Sequence, residues 1–146
     1  MSLARAKPVF TAEDYLAWEE QSPDKHQYLA GEIFAMSGAT DAHVTITMNL
    51  AFLLRTHLRG RPCRVYAMDM KLRVETADAF FYPDLLATCV PDDIAAPQFK
   101  RQPTLVVEVL SASTAASARR RSLRLIRRAP SREGVEMSVD DGISIK

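Results

Sequence analysis

The sequence predicts a mixed α+β domain, with a mixed central sheet flanked by helices and preceded by an N-terminal helix and a β-hairpin. Three observations predict it. Residues 104–110, Thr-Leu-Val-Val-Glu-Val-Leu, are apolar on both faces, which suits a strand in the middle of a sheet covered on both sides. Residues 63–74 alternate apolar and polar side chains, as a strand with one wet face does. Residues 41–58 carry Val44, Ile46, Leu50, Leu53, Leu54 and Leu58 at roughly helical spacing.

Taken in order, Thr11 reads as a helix N-cap, with Asp14 at the capping-box position. Tyr15, Leu16 and Trp18 give that helix its apolar side, and Pro23 ends it. Tyr15, Trp18 and Phe34 are expected in the core. Residues 26–36 predict a tight hairpin turning at Ala30-Gly31, where glycine supplies a positive φ. The long helix over 41–58 is stopped by Gly60 and Pro62. In the following strand Tyr66, Met68, Met70, Leu72 and Val74 face one way and Asp69, Lys71 and Arg73 the other; Asp69 and Lys71 are expected to pair. Residues 80–90 form the next strand, residues 91–103 a polar loop, and 104–110 the central strand. Residues 115–128 are helical by propensity but lack an apolar stripe, and 135–139 hint at one more strand.

The 146 residues fit one domain, and 47% hydrophobic residues suffice for a core. A net charge of +1 says little about partners. The charge is unevenly spread, however: residues 109–132 contain no acid, and seven arginines fall between Arg119 and Arg132. Cys63 and Cys89 lack metal-ligand spacing and read as core thiols in a reducing compartment. The first ten residues have no apolar signal segment, and no apolar run is long enough to span a membrane. These features predict a cytoplasmic protein.

Asp84 and Glu108 are the most informative residues. Each sits against an apolar, strand-like run, where an ionised carboxylate is costly unless paired or bound to a metal. Mg²⁺ prefers a few carboxylates plus waters and phosphate oxygens. Two acids on neighbouring strands would supply such ligands, with Glu32 beyond the hairpin turn as a third acid. Spacing alone leaves the ordinary alternative open, in which these acids are solvated or salt-bridged. His43, at a helix start, reads as a capping or supporting group rather than a ligand.

The residues Gln27-Tyr28-Leu29-Ala30-Gly31-Glu32-Ile33 with Met36-Ser37, then Tyr82-Pro83-Asp84-Leu85, then residues 105–111 with Ser113-Thr114, resemble the Uma-type putative restriction endonuclease family of the PD-(D/E)XK nuclease superfamily. The resemblance covers about residues 8–116 and rests on three separate motifs in the right order, with His43 and Asp69-Met70 also in place. It implies a restriction-endonuclease-like core and Mg²⁺-dependent cleavage of DNA phosphodiesters, with Mn²⁺ as a substitute. Asp84 would be the aspartate of the PD motif and Glu108 the acid of the (D/E)XK motif, both metal ligands. Glu32 would be the upstream acid. Leu110 stands at the superfamily's lysine position, and in this family the lysine is expected on the following helix.

The sequence departs from that pattern after Ala116. Ser122 stands where the lysine is expected and Ile126 where a tyrosine is expected. Residues 1–116 are therefore the expected core, and 117–146 a divergent, arginine-rich tail. The abrupt boundary suggests a change of reading frame near codons 116–118, which translation of the other two frames tests. Lys71 could in principle stand in for the missing lysine. The expectation is an endonuclease weakened or inactive for lack of that lysine; the alternative is a non-catalytic nucleic-acid-binding or structural remnant. A third reading is an α+β interaction module with salt-bridged acids. DNA is the expected partner, and cutting both strands would favour a homodimer.

Overall fold

The computed structural model describes residues 10–36, 38–110, 134–139 and 143–145. The capping box forms as expected. The Thr11 hydroxyl accepts the Asp14 N–H while the Asp14 carboxylate accepts the Thr11 N–H, and helix α1 runs Ala12–Glu19. Strands β1 (His26–Leu29) and β2 (Glu32–Ala35) make the hairpin. Its two turn residues have φ of 47° at Ala30 and 90° at Gly31. Positive φ at both positions matches the right-handed twist of the flanking strands. Helix α2 covers Asp41–His57, capped by the Thr40 hydroxyl.

The two long strand-like runs each break in the middle. Residues 63–74 divide into β3 (Arg64–Ala67) and β4 (Lys71–Val74). Residues 79–90 divide into β5 (Ala79–Phe81) and β6 (Leu85–Thr88). The first break falls at Met68, whose φ is 57°. The second falls at Tyr82-Pro83-Asp84, where proline cannot donate to a ladder. The Met68 N–H donates to the Asp84 carbonyl at 3.1 Å, so the two breaks are stitched together. Next come the short helix α3 (Pro91–Ala95) and strand β7 (Phe99–Lys100), within the segment expected to be loop. Strand β8 spans Leu105–Leu110, β9 Gly134–Val139 and β10 Ile143–Ile145.

These breaks send the chain from one sheet to another. One mixed sheet has the order β2-β1-β5-β4-β7 and the other β10-β9-β8-β6-β3. The single central sheet that the sequence predicts is thus two five-stranded sheets, because the chain crosses between them at the two breaks. Leu72, Val74, Ala79 and Phe81 of the first set and Leu86 and Val106 of the second share one buried cluster. Helix α1 covers the first sheet through Tyr15, Tyr28 and Phe80. Helix α2 covers the second through Leu50, Ala51 and Leu54 against Leu85 and Val107. Strand β8 lies between β6 and β9, as its two apolar faces predict.

Several side chains differ from expectation. Val44 and Leu53 are exposed, and the inward face of α2 carries His43 and Thr47 instead. Trp18 is 40% exposed and packs against the rings of Phe10 and His26, whereas Tyr15 is fully buried. Asp69 pairs with Lys25 rather than Lys71, and the Lys71 ammonium lies 5.4 Å from the centroid of the Tyr82 ring. Cys63 and Cys89 are not thiols but a disulfide. They stand opposite each other one step beyond the Arg64–Thr88 pair of β3 and β6, so an expectation drawn from each strand alone misses their contact. The bond also weighs against the reducing compartment that the thiol reading assumed.

No helix among the described residues is long and apolar enough to cross a membrane. The expected boundary at residue 116, and the positions of Ser122 and Ile126, lie outside the described residues. Beyond them, β9 runs parallel to β8 and β10 antiparallel to β9.

Candidate active site at the seam of the two sheets

Asp84 occupies the break between β5 and β6, at the point where the chain changes sheets. It is 6% exposed, and Glu108 on β8 is 3% exposed. Strands β6 and β8 are antiparallel, with Leu85 opposite Val107 and Leu86 opposite Val106. Continuing that register by one residue sets Asp84 opposite Glu108. By strand alternation Glu108 lies on the face of β8 on which Val106 meets the first sheet, whereas Asp84, in the bend before β6, reaches His43 of α2. Asp84 thus stands one residue before β6, and Glu108 lies on the strand paired with it.

Two contacts fix the Asp84 carboxylate. The Val109 N–H donates to Oδ2 at 2.7 Å. Strand β6 begins only at Leu85, so beyond its end the Asp84 side chain supplies an acceptor that the ladder no longer provides. His43 Nε2 lies 2.8 Å from Oδ1. An ionised Asp84 can only accept, which puts the ring hydrogen on Nε2. The helix holds His43 in turn: its N–H donates to the Thr40 hydroxyl and its carbonyl accepts from Thr47 Oγ1 at 2.8 Å. This explains the polar face of α2. The helix is rotated so that His43 and Thr47 are buried, His43 against Asp84, while Val44 and Leu53 stay exposed.

Glu32 is placed differently. It is exposed at the first position of β2, the outermost strand of the first sheet. Among the described residues no group of three His, Cys, Asp or Glu side chains is gathered to hold a metal ion. Asp84 and Glu108, as two buried acids, would be the residues to hold a cation. Two carboxylates are the complement Mg²⁺ takes when waters and substrate oxygens fill the rest of its shell.

A second buried polar group lies on the Tyr82 side of the same break. The Tyr82 hydroxyl donates to Glu19 Oε1 at 2.9 Å, and Glu19 also accepts the His26 N–H at 2.8 Å. Burial, reinforced by Glu19, raises the Tyr82 pKa. Burial likewise raises that of Tyr15, whose hydroxyl donates to the His26 carbonyl at 2.6 Å. These groups fasten α1 and β1 to the segment that leads into Asp84.

Sequence reasoning did not assign the contact between His43 and Asp84, although it marked His43 as a supporting group. It also passed over Arg55, Arg59, Arg61 and Arg64. These are four arginines in ten residues, inside a stretch from 42 to 68 with no acid.

Comparisons with known proteins agree with this architecture. Two proteins of Synechocystis sp., named slr1290 and sll1609 and described as uncharacterized, are 40% and 31% identical to the chain over 118 and 117 residues. The matches cover 81% and 79% of this chain, but only 62% and 66% of those proteins, so the chain spans less than two thirds of their length. A crystal structure described as a putative nuclease belonging to DUF820, from Anabaena variabilis, superposes with a TM-score of 0.71 at 13% identity. It covers 93% of this chain and 83% of that one, and shows that the fold is restriction-endonuclease-like. Residues 12–141 match the family described as Uma2, putative restriction endonuclease, and the chain belongs to that family.

Proposed function

We propose that this chain hydrolyses DNA phosphodiester bonds as a Mg²⁺-dependent endonuclease, with Mn²⁺ able to substitute, and that Asp84 and Glu108 hold the metal. The observation that carries the reading is the burial of two acids close in the strand pairing, Asp84 just before β6 and Glu108 on β8, where a divalent cation would offset their like charges. A bound Mg²⁺ would lower the pKa of a coordinated water and offset charge on the phosphate. The protein's own contribution is positional. The Val109 N–H and His43 fix the Asp84 carboxylate, and β8 fixes Glu108 beside it. Glu32 is proposed as an outlying acid that contacts substrate or metal-bound water.

The expected rate is low. Ser122 stands where the family pattern expects a lysine. Each described lysine is engaged elsewhere: Lys25 with Asp69, Lys71 over Tyr82, and Lys100 with the carbonyls at the end of α3. Losing one preorganised charge-stabilising group costs about 10²–10³ in rate. That departure favours a second reading, a remnant that binds metal and nucleic acid without cutting. A homodimer, which double-strand cleavage would need, belongs to the same proposal.

A plasmid-nicking assay tests it. Slow Mg²⁺-dependent nicking, lost in Asp84→Ala, is expected. Metal binding without nicking selects the remnant, and absence of metal binding refutes both readings.

A further inference from the structure

A groove of about 990 Å³ lies between the C-terminal half of α2 and β3. It is at the upper end of the range of roughly 300–1,000 Å³ in which ligand pockets fall. Arg55, Arg59, Arg61 and Arg64 line it, and no acid does. None of the four forms an ion pair among the described residues. The C-terminal dipole of α2 accounts for a cation at Arg55 or just past the cap at Arg59. Arg61 and Arg64 lie beyond the helix, so the dipole does not explain them. The arginine end of the groove is remote from Asp84, although its other end, at Ala67, lies opposite Leu85. Twelve residues of helix separate His43 from Arg55, about 18 Å at 1.5 Å per residue.

Its other feature is apolar. Phe52 is 69% exposed and Met48 54%, both on the groove wall. Burial against the second sheet does not use them. A cationic groove with an exposed aromatic ring is the arrangement that binds single-stranded nucleic acid, through phosphate contacts and base stacking. A duplex keeps its bases stacked inside and would meet only the arginines.

From these features we infer that the α2–β3 groove binds single-stranded DNA, with Arg55, Arg59, Arg61 and Arg64 on phosphates and Phe52 stacked on a base. The choice of DNA rests on the function proposed above. Its arginine end would hold a strand away from the acid pair, as an anchor for the substrate.

The test is fluorescence anisotropy with labelled dT12 in EDTA, where no metal-dependent cleavage occurs. Arg59→Ala with Arg61→Ala is expected to weaken binding at least ten-fold. It should also lower the slope of log K against log salt by about 1.4, since each phosphate that an arginine neutralises adds roughly 0.7 to that slope. Phe52→Ala is expected to weaken dT12 binding about five-fold or more. A duplex of the same length should bind at least ten-fold more weakly and not respond to Phe52→Ala. Unchanged dT12 binding in the variants overturns the inference, as does duplex or rU12 binding as tight as that of dT12. Binding that persists in EDTA while nicking fails supports the groove and sinks the nuclease reading. Nicking without dT12 binding does the reverse.

Discussion

Reducing the Cys63–Cys89 bond perturbs the fold at one defined place. The bond ties the start of β3, an edge strand, to the end of β6, across a sequence separation of 26. In the chain-entropy treatment, closing a loop of that length removes about 12 cal/mol/K from the unfolded chain, or about 3.5 kcal/mol at 25 °C. For a domain of this size that corresponds to a fall in Tm of about 10 °C. The assay is urea unfolding of oxidised protein, of protein in reductant, and of Cys63→Ser with Cys89→Ser. The reduced protein and the double variant should unfold at the same, lower midpoint. Asp84 lies at the other end of β6, so metal affinity at 25 °C should be unchanged by reduction. Equal midpoints in all three samples, with two free thiols titrated in the untreated protein, would refute the bond and restore the thiol reading.

The other predictions concern buried polar contacts. His43→Ala should cost about 1–3 kcal/mol by leaving Asp84 Oδ1 without this partner, and should weaken metal binding; His43→Gln should recover part of both, as calorimetry can show. Lys100 is buried and its ammonium donates to the carbonyls of Asp93 and Ala96, so Lys100→Met should lower unfolding stability by about 2 kcal/mol despite its similar shape. Tyr15 and Tyr82 have pKa values raised above 10.0 in the folded state, so they hold their protons when the unfolded chain has lost them. Their contribution is therefore complete below pH 10 and is lost as pH climbs beyond it. Urea midpoints should be flat to about pH 9 and then fall, less steeply in Tyr82→Phe.

Local chemistry made much of this fold legible. The Thr11–Asp14 capping box, the Ala30-Gly31 turn and the doubly apolar β8 each depend on neighbours within a few residues, and each formed as predicted. What sequence could not show depends on tertiary partners. Residues 63–74 alternate without interruption, yet Met68 takes a left-handed conformation because the chain passes between sheets there. The apolar stripe on α2 gave the helix but not its rotation, because the bond to Asp84 draws His43 inward. The cysteine pairing needs the β3–β6 register, which neither strand reveals alone. For the site, Asp84 and Glu108 were visible as acids in apolar runs. Their shared register and the His43 hydrogen bond were not, since both require strands and a helix distant in sequence.

Titration calorimetry with Mn²⁺ reads the proposed cation at Asp84 and Glu108 itself. One site per chain is predicted, lost in Asp84→Asn and in Glu108→Gln and retained in Glu32→Gln with at most a few-fold weakening. Heat that is equal in wild type and in both carboxylate variants would mean that these two acids hold no cation.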